Sequence, residues 1–154
     1  MAPFLYNLPM FRVLSLFILI FCGAGWSSVS IKKIYILGDS LTEGYGIASD
    51  QAYPQKLDKQ IQAKFPNKYK VIGAGVSGST TASGLKRLQW LMRAKPFLVI
   101  IALGANDGLR GFDVKATQEN LEKMIVYLKK NSVKVVLAGM KVPPNYGQEY
   151  RVQF

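Results

Sequence analysis

Ile34-Tyr35-Ile36-Leu37-Gly38-Asp39-Ser40-Leu41-Thr42-Glu43-Gly44-Tyr45-Gly46 is the stretch from which the rest of the chain is read. Four apolar, β-favouring residues stop at a glycine, and a serine follows two residues later. An unbroken apolar run suits a parallel strand covered on both faces. Ser40 therefore stands beyond the carboxyl end of that strand, where open α/β sheets hold their ligands. Gly44 and Gly46 let backbone come close to a substrate without a Cβ in the way. Two readings of Ser40 stand at this point: a cap for the following helix, or a nucleophile.

Working outward, Ile31 to Leu37 is the first strand. A helix is predicted from about Ala52 to Lys64, with Pro54 in its first turn and Leu57, Ile61 and Phe65 on its core face. Tyr69 to Ile72 is the second strand and runs into the glycine-rich Gly73 to Gly78, read as a turn. Ser79, Thr80 and Thr81 are cap candidates for a helix marked by Leu85, Leu88 and Met92, which Gly84 weakens and Lys95-Pro96 stops. Phe97 to Leu103 is wholly apolar and is predicted to be central. Gly104 to Gly108 follows as a loop. A long helix starts at about Asp113, with Val114, Leu121, Met124, Ile125 and Leu128 on one face and Lys129-Lys130 at its dipole-favoured end. Val133 to Leu137 is the fourth strand, and Val142 to Gly147 reads as a loop. This β-α-β-α-β-α-β order predicts a three-layer α/β/α domain, flavodoxin-like, with a parallel sheet and right-handed crossovers. The domain covers residues 31–154, and its last strand and helix region is expected to be incomplete. Loops bearing Ser40, Gly78 and Asn106 fall on one edge of the sheet.

Residues 1–30 read as a separate targeting segment. Arg12 is their only charge, Val13 to Phe21 is apolar, and small residues follow. That is the pattern of a signal peptide, with a retained anchor as the alternative. It implies a periplasmic or secreted location. Cys22 is the chain's one cysteine, so no internal disulfide can form. Lys and Arg number 20 against 9 Asp and Glu, a net charge of +11. The bases are scattered along the sequence and do not interleave with aromatics, which reads as a solvated basic surface rather than a nucleic-acid site. Transient membrane contact stays open.

The chain has no histidine. Histidine is the usual base for an activated serine, so a Ser-His mechanism is incomplete within these residues. No metal set with histidine can be built, and one cysteine makes no zinc site. Gly73 to Gly78 matches GxGxxG, but the acid required about 20 residues on is missing, since nothing between Asp58 and Asp107 is acidic. Asn106 reads either as a left-handed turn residue or as an amide donor. With the Ser40 and Gly78 N–H groups it would form a three-donor oxyanion hole. The GxSxG elbow of α/β-hydrolases is absent.

Taken together, these blocks resemble the SGNH, or GDSL-type, hydrolases. Gly-Asp-Ser40-Leu with Thr-Glu-Gly-Tyr-Gly is similar to the first block, Gly-Val-Ser-Gly78 to the second, and Leu-Gly-Ala-Asn106-Asp-Gly-Leu-Arg-Gly to the third. Gly-Met-Lys-Val-Pro-Pro-Asn-Tyr-Gly147 resembles a substrate-side loop of the secreted bacterial arylesterase/thioesterase/lysophospholipase branch. The resemblance implies a serine acyl hydrolase with Ser40 as nucleophile and Ser40, Gly78 and Asn106 as oxyanion donors. It also implies an acyl pocket lined by Leu109, Pro144 and Tyr146, with Asp39 and Asp107 bracing loops. The partner would be a small acyl ester or lipid, with no cofactor, acting on a monomer. The family's last block, Asp-x-x-His, has no counterpart, and a C-terminal truncation with poor activity is expected. A catalytically dead lipid- or glycan-binding relative, or a non-functional remnant, is the alternative.

Overall fold

The computed structural model describes residues 30–154, so the targeting-segment reading lies outside the described residues. Four parallel strands, β1 (Lys32–Gly38), β2 (Tyr69–Gly75), β3 (Leu98–Ala102) and β4 (Lys134–Leu137), form one sheet in the order β2-β1-β3-β4. The helices are α1 (Ser40–Glu43), α2 (Tyr53–Lys64), α3 (Thr81–Leu91), α4 (Ala105–Leu109), α5 (Val114–Lys130) and α6 (Gln148–Gln153). The α/β class and the parallel sheet with helices on both faces are as the sequence predicts.

Register fixes which side chains share a face. Leu37 pairs with Ala74 on one side and Ile101 on the other, so the three point the same way. That face carries the main core. Leu37, Val99, Ile101 and Leu103 meet Leu88 and Leu91 of α3 and Met124 and Leu128 of α5. Ile36 and its partner Gly73 point to the opposite face, where Pro54 of α2 sits 3.2 Å from the position a Cβ of Gly73 would take.

Four expectations are corrected. Gly73 and Gly75 are not a turn but the last part of β2, which runs three residues further than predicted. At Gly75 a Cβ would lie 2.1 Å from the Glu43 nitrogen, so the glycine is required by the backbone of α1 lying on the strand end. Phe65 is not a core residue: it lies just past α2, is 37% exposed, and stacks edge-on against Tyr69. Gly104 to Gly108 is not simply a loop, because residues from Ala105 on wind into α4. The predicted loop 142–147 contains a short 3-10 turn, Pro144–Tyr146.

Candidate functional site

The site is built on the carboxyl edge of the sheet, beginning where β1 ends. A Cβ on Gly38 would lie 1.8 Å from Thr42 Oγ1, because α1 doubles back over the strand. The N-cap of α1 is Asp39, not Ser40: its Oδ1 accepts the Leu41 N–H at 3.0 Å. The capping reading of Ser40 is thereby removed. Ser40 is half-buried at the first helical position, and its hydroxyl has no hydrogen-bond partner among the described residues. Its N–H is one of the donors a helix start leaves without an internal acceptor.

The buried Asp39 also has an orphan oxygen, Oδ2. Its charge is offset by Arg87 of α3, whose guanidinium donates to the carbonyls of Gly38, at 2.8 Å, and of Ala74. Burial pulls the Arg87 pKa down and the Asp39 charge opposes that shift. Arg87 thus ties the ends of β1 and β2 together beneath the Ser40 turn.

The second loop follows β2. Gly78 takes φ +76°, a left-handed conformation that favours glycine. Its N–H finds no backbone acceptor among the described residues, while its carbonyl accepts from Arg110 at 3.2 Å. Ser77 donates its N–H, at 2.7 Å, and its hydroxyl to the same oxygen of Glu43. Those bonds hold the exposed Glu43 carboxyl below its ordinary pKa of 4.5, the hydroxyl bond contributing most.

The third loop follows β3. Asn106 lies in the first turn of α4 and has an ordinary backbone; among the described residues the positive-φ residues other than glycine are Asn67, Lys95 and Ser132. The left-handed turn reading is therefore removed as well. One N–H of the Asn106 amide is given to the Ser79 carbonyl at 3.0 Å, which orients the group and leaves its second N–H unspent. Asp107, 2% exposed, accepts the Thr81 N–H at 2.9 Å and the Thr81 hydroxyl at 2.6 Å. It does for α3 what Thr80, the N-cap residue, does not. Asp39 and Asp107 both brace loops.

The pocket candidates are partly assembled. Tyr146 donates its hydroxyl to the Leu109 carbonyl at 2.8 Å, and the Leu109 side chain is 57% exposed. Pro144 lies in the adjoining 3-10 turn. Ser40 lines neither of two larger clefts, one of about 700 Å³ between β2 and α3 and one of about 360 Å³ beside Gly104. Sequence reasoning missed Glu43, Arg87 and Arg110. Glu43 stood inside the opening stretch, but its partner Ser77 is 34 residues away and nothing local announces the pair.

Residues 36–153 match the model of the GDSL-like Lipase/Acylhydrolase family. The chain belongs to that family. An arylesterase of Vibrio mimicus is 43% identical over 146 residues, covering 94% of this chain and 72% of the relative. Esterase TesA of Pseudomonas aeruginosa is 40% identical over 120 residues, covering 77% and 59%. Thioesterase 1/protease 1/lysophospholipase L1 of Escherichia coli is 34% identical over 128 residues, covering 82% and 60%. The chain thus spans roughly three fifths of the length of the last two. Among solved structures, AlinE4, an SGNH-hydrolase family esterase, aligns with a TM-score of 0.76 at 38% identity, over 80% of this chain and 67% of that one. TesA aligns with 0.75 at 39% identity, over 80% and 68%. By family the chain is an ester hydrolase of the GDSL-like type.

Proposed function

We propose that this chain cleaves carboxylic esters or thioesters through an acyl-enzyme on Ser40. The observation that carries the reading is the division of labour at the end of β1. Asp39 takes the helix cap, and the Ser40 hydroxyl is left without a partner beside unspent donors. Ser40 Oγ attacks the acyl carbonyl carbon; an Oγ–C bond forms and the bond to the leaving oxygen or sulfur breaks. The charge that develops on the carbonyl oxygen is met by the Ser40 N–H, the Gly78 N–H and the second Asn106 N–H. Each such donor is worth about 3 kcal/mol in the transition state. Leu109, Pro144 and Tyr146 flank the acyl group. Substrates are small acyl esters or lipids of the kinds the relatives are named for: aryl esters, thioesters and lysophospholipids. The basic, then apolar, residues 1–30 support export to the periplasm or medium, which N-terminal sequencing of the mature chain checks.

The proton of Ser40 needs an acceptor, and the 154 residues contain no histidine. A triad site lacking one member keeps only roughly 10³–10⁴-fold catalysis over water. Added imidazole serves as the missing base. The expected result is a burst of p-nitrophenol from a p-nitrophenyl ester, with one acyl group found on the Ser40 peptide by mass spectrometry. Both disappear in Ser40→Ala. Imidazole-dependent release without an adduct on Ser40 rejects the nucleophile. The alternative is a lipid- or glycan-binding relative that does not turn over. Saturable ester binding with no acylated Ser40 decides for that one.

A further inference from the structure

The edge of the sheet opposite Ser40 carries a different pattern. Tyr69, Lys32, Phe97 and Lys134 stand at or beside the starts of β2, β1, β3 and β4, the spatial order of the strands. Aromatic and lysine therefore alternate across the whole edge. Lys32 and Lys134 lie 4.7 Å and 4.9 Å from the Phe97 ring centre. Phe65 at the end of α2 packs 5.8 Å from Tyr69, which lies 5.9 Å from Phe97. Lys64 stands 5.7 Å from the Phe65 ring, and Lys68 lies within reach of both Phe65 and Tyr69. Lys64, Phe65, Lys68 and Tyr69 are close in sequence, whereas Lys32, Phe97 and Lys134 join them only in the fold.

We propose that this edge docks on the surface of an anionic phospholipid bilayer, with the Ser40 edge turned away from it. Four lysines on a half-buried aromatic row match the interfacial belt, in which amphipathic rings sit at headgroup level and cations meet anionic lipids. The acid near this row, Asp58, is already paired with Lys70. A single-stranded nucleic acid fits less well, because base stacking needs open ring faces, and here the rings pack on one another beneath lysine ammonium groups.

The test is co-sedimentation of the full chain with phosphatidylcholine vesicles and with vesicles containing phosphatidylglycerol. The quadruple variant Lys32→Gln, Lys64→Gln, Lys68→Gln, Lys134→Gln is compared with Lys56→Gln, Lys59→Gln, Lys86→Gln, Lys115→Gln, which removes as many charges from exposed positions off this edge. The apolar run Val13 to Phe21 is common to all three proteins, so it cancels in the preference for anionic over neutral vesicles. A lysine at an anionic surface contributes about fivefold, so the edge variant should lose that preference by about a hundredfold or more, and the control set by far less. Equal losses in the two variants overturn the proposal, since they report net charge alone. So does a wild type that prefers an oligonucleotide to anionic vesicles. Unchanged acylation of Ser40 in the edge variant shows that it is folded.

Discussion

At the scale of single residues, neighbours remove the capping reading of Ser40 and the turn reading of Asn106. Asp39 caps α1, and Gly104 rather than Asn106 takes the unusual backbone, with φ +127°. Asn106 is then an amide donor with one hydrogen committed to Ser79. In the proposed oxyanion hole Asn106→Ala removes the other hydrogen, and the acylation rate constant of Ser40 should fall roughly 10²–10³-fold. The KM for the ester should stay nearly constant, because the contact matters in the transition state. Stopped-flow release of p-nitrophenol measures both, and a rise in KM at unchanged rate would sink the donor role. Glu43 makes a pH prediction. Its folded pKa lies below 4.5 because it accepts from the Ser77 hydroxyl and N–H. A depressed carboxyl pKa gives a contribution that is complete above the unfolded value and lost as pH falls through the folded one. The nearby charged and titratable side chains are bonded elsewhere: Asp39 to Leu41, Tyr53 to Thr42, Arg87 to Gly38 and Ala74, Arg110 to Gly78. The Ser77 amide proton should therefore hold its NMR shift down to about pH 4.5 and move below it. In Glu43→Gln that step should vanish, and a step that persists assigns the titration to another group.

At the scale of elements, the β2–α3 connection is held from α4 by Asn106 and Asp107, from the residue after it by Arg110, and from α1 by Glu43. Asp107→Ala leaves the buried Thr81 N–H and hydroxyl without their acceptor and removes the cap of α3. Two buried groups losing a charged partner should cost about 2–4 kcal/mol, read as a lower urea midpoint at constant slope. A loss under about 0.5 kcal/mol, the range of ordinary surface changes, would mean that Thr81 finds another acceptor. Gly84 shows where propensity misleads. The sequence marks it as a weak point in α3, and an alanine there gains up to about 1 kcal/mol by propensity. A Cβ at that position, however, would lie 2.4 Å from the sulfur of Met124 of α5, which is fully buried. Overpacking of this kind costs about 1–3 kcal/mol. Gly84→Ala should therefore lower stability, and a stabilised variant would show that Met124 has room to swing aside.

At the scale of the whole molecule, much of the architecture is legible because strand and loop differ sharply in composition. Ile34 to Leu37 and Phe97 to Leu103 are apolar on both faces and end at glycine, so the parallel sheet and the gathering of Ser40, Gly78 and Asn106 on one edge follow from the chain alone. The extension of β2 through Gly75 is not legible, since its cause is the backbone of α1, an element that follows a different strand. The lysine–aromatic row is hidden for the same reason: Lys32, Phe97 and Lys134 meet only once three strands are in register. Charge behaves likewise. The sequence gives +11, but how much of it is neutralised locally depends on the fold. Among the described residues only two ion pairs form, Lys70 with Asp58 and Lys123 with Glu119. Surface pairs of this kind contribute at most about 1 kcal/mol each. Repulsion among the unpaired cations opposes the compact state, and ions shorten its range to about 10 Å at 0.1 M salt. Screening of the excess repulsion should outweigh screening of two weak attractions. Sodium chloride should therefore raise the thermal midpoint, by about 2–4 °C for each kcal/mol recovered in a chain of this size. Scanning calorimetry across a salt series checks the sign, and a midpoint that falls with salt would mean that specific ion pairs, not net charge, dominate the electrostatics of the folded chain.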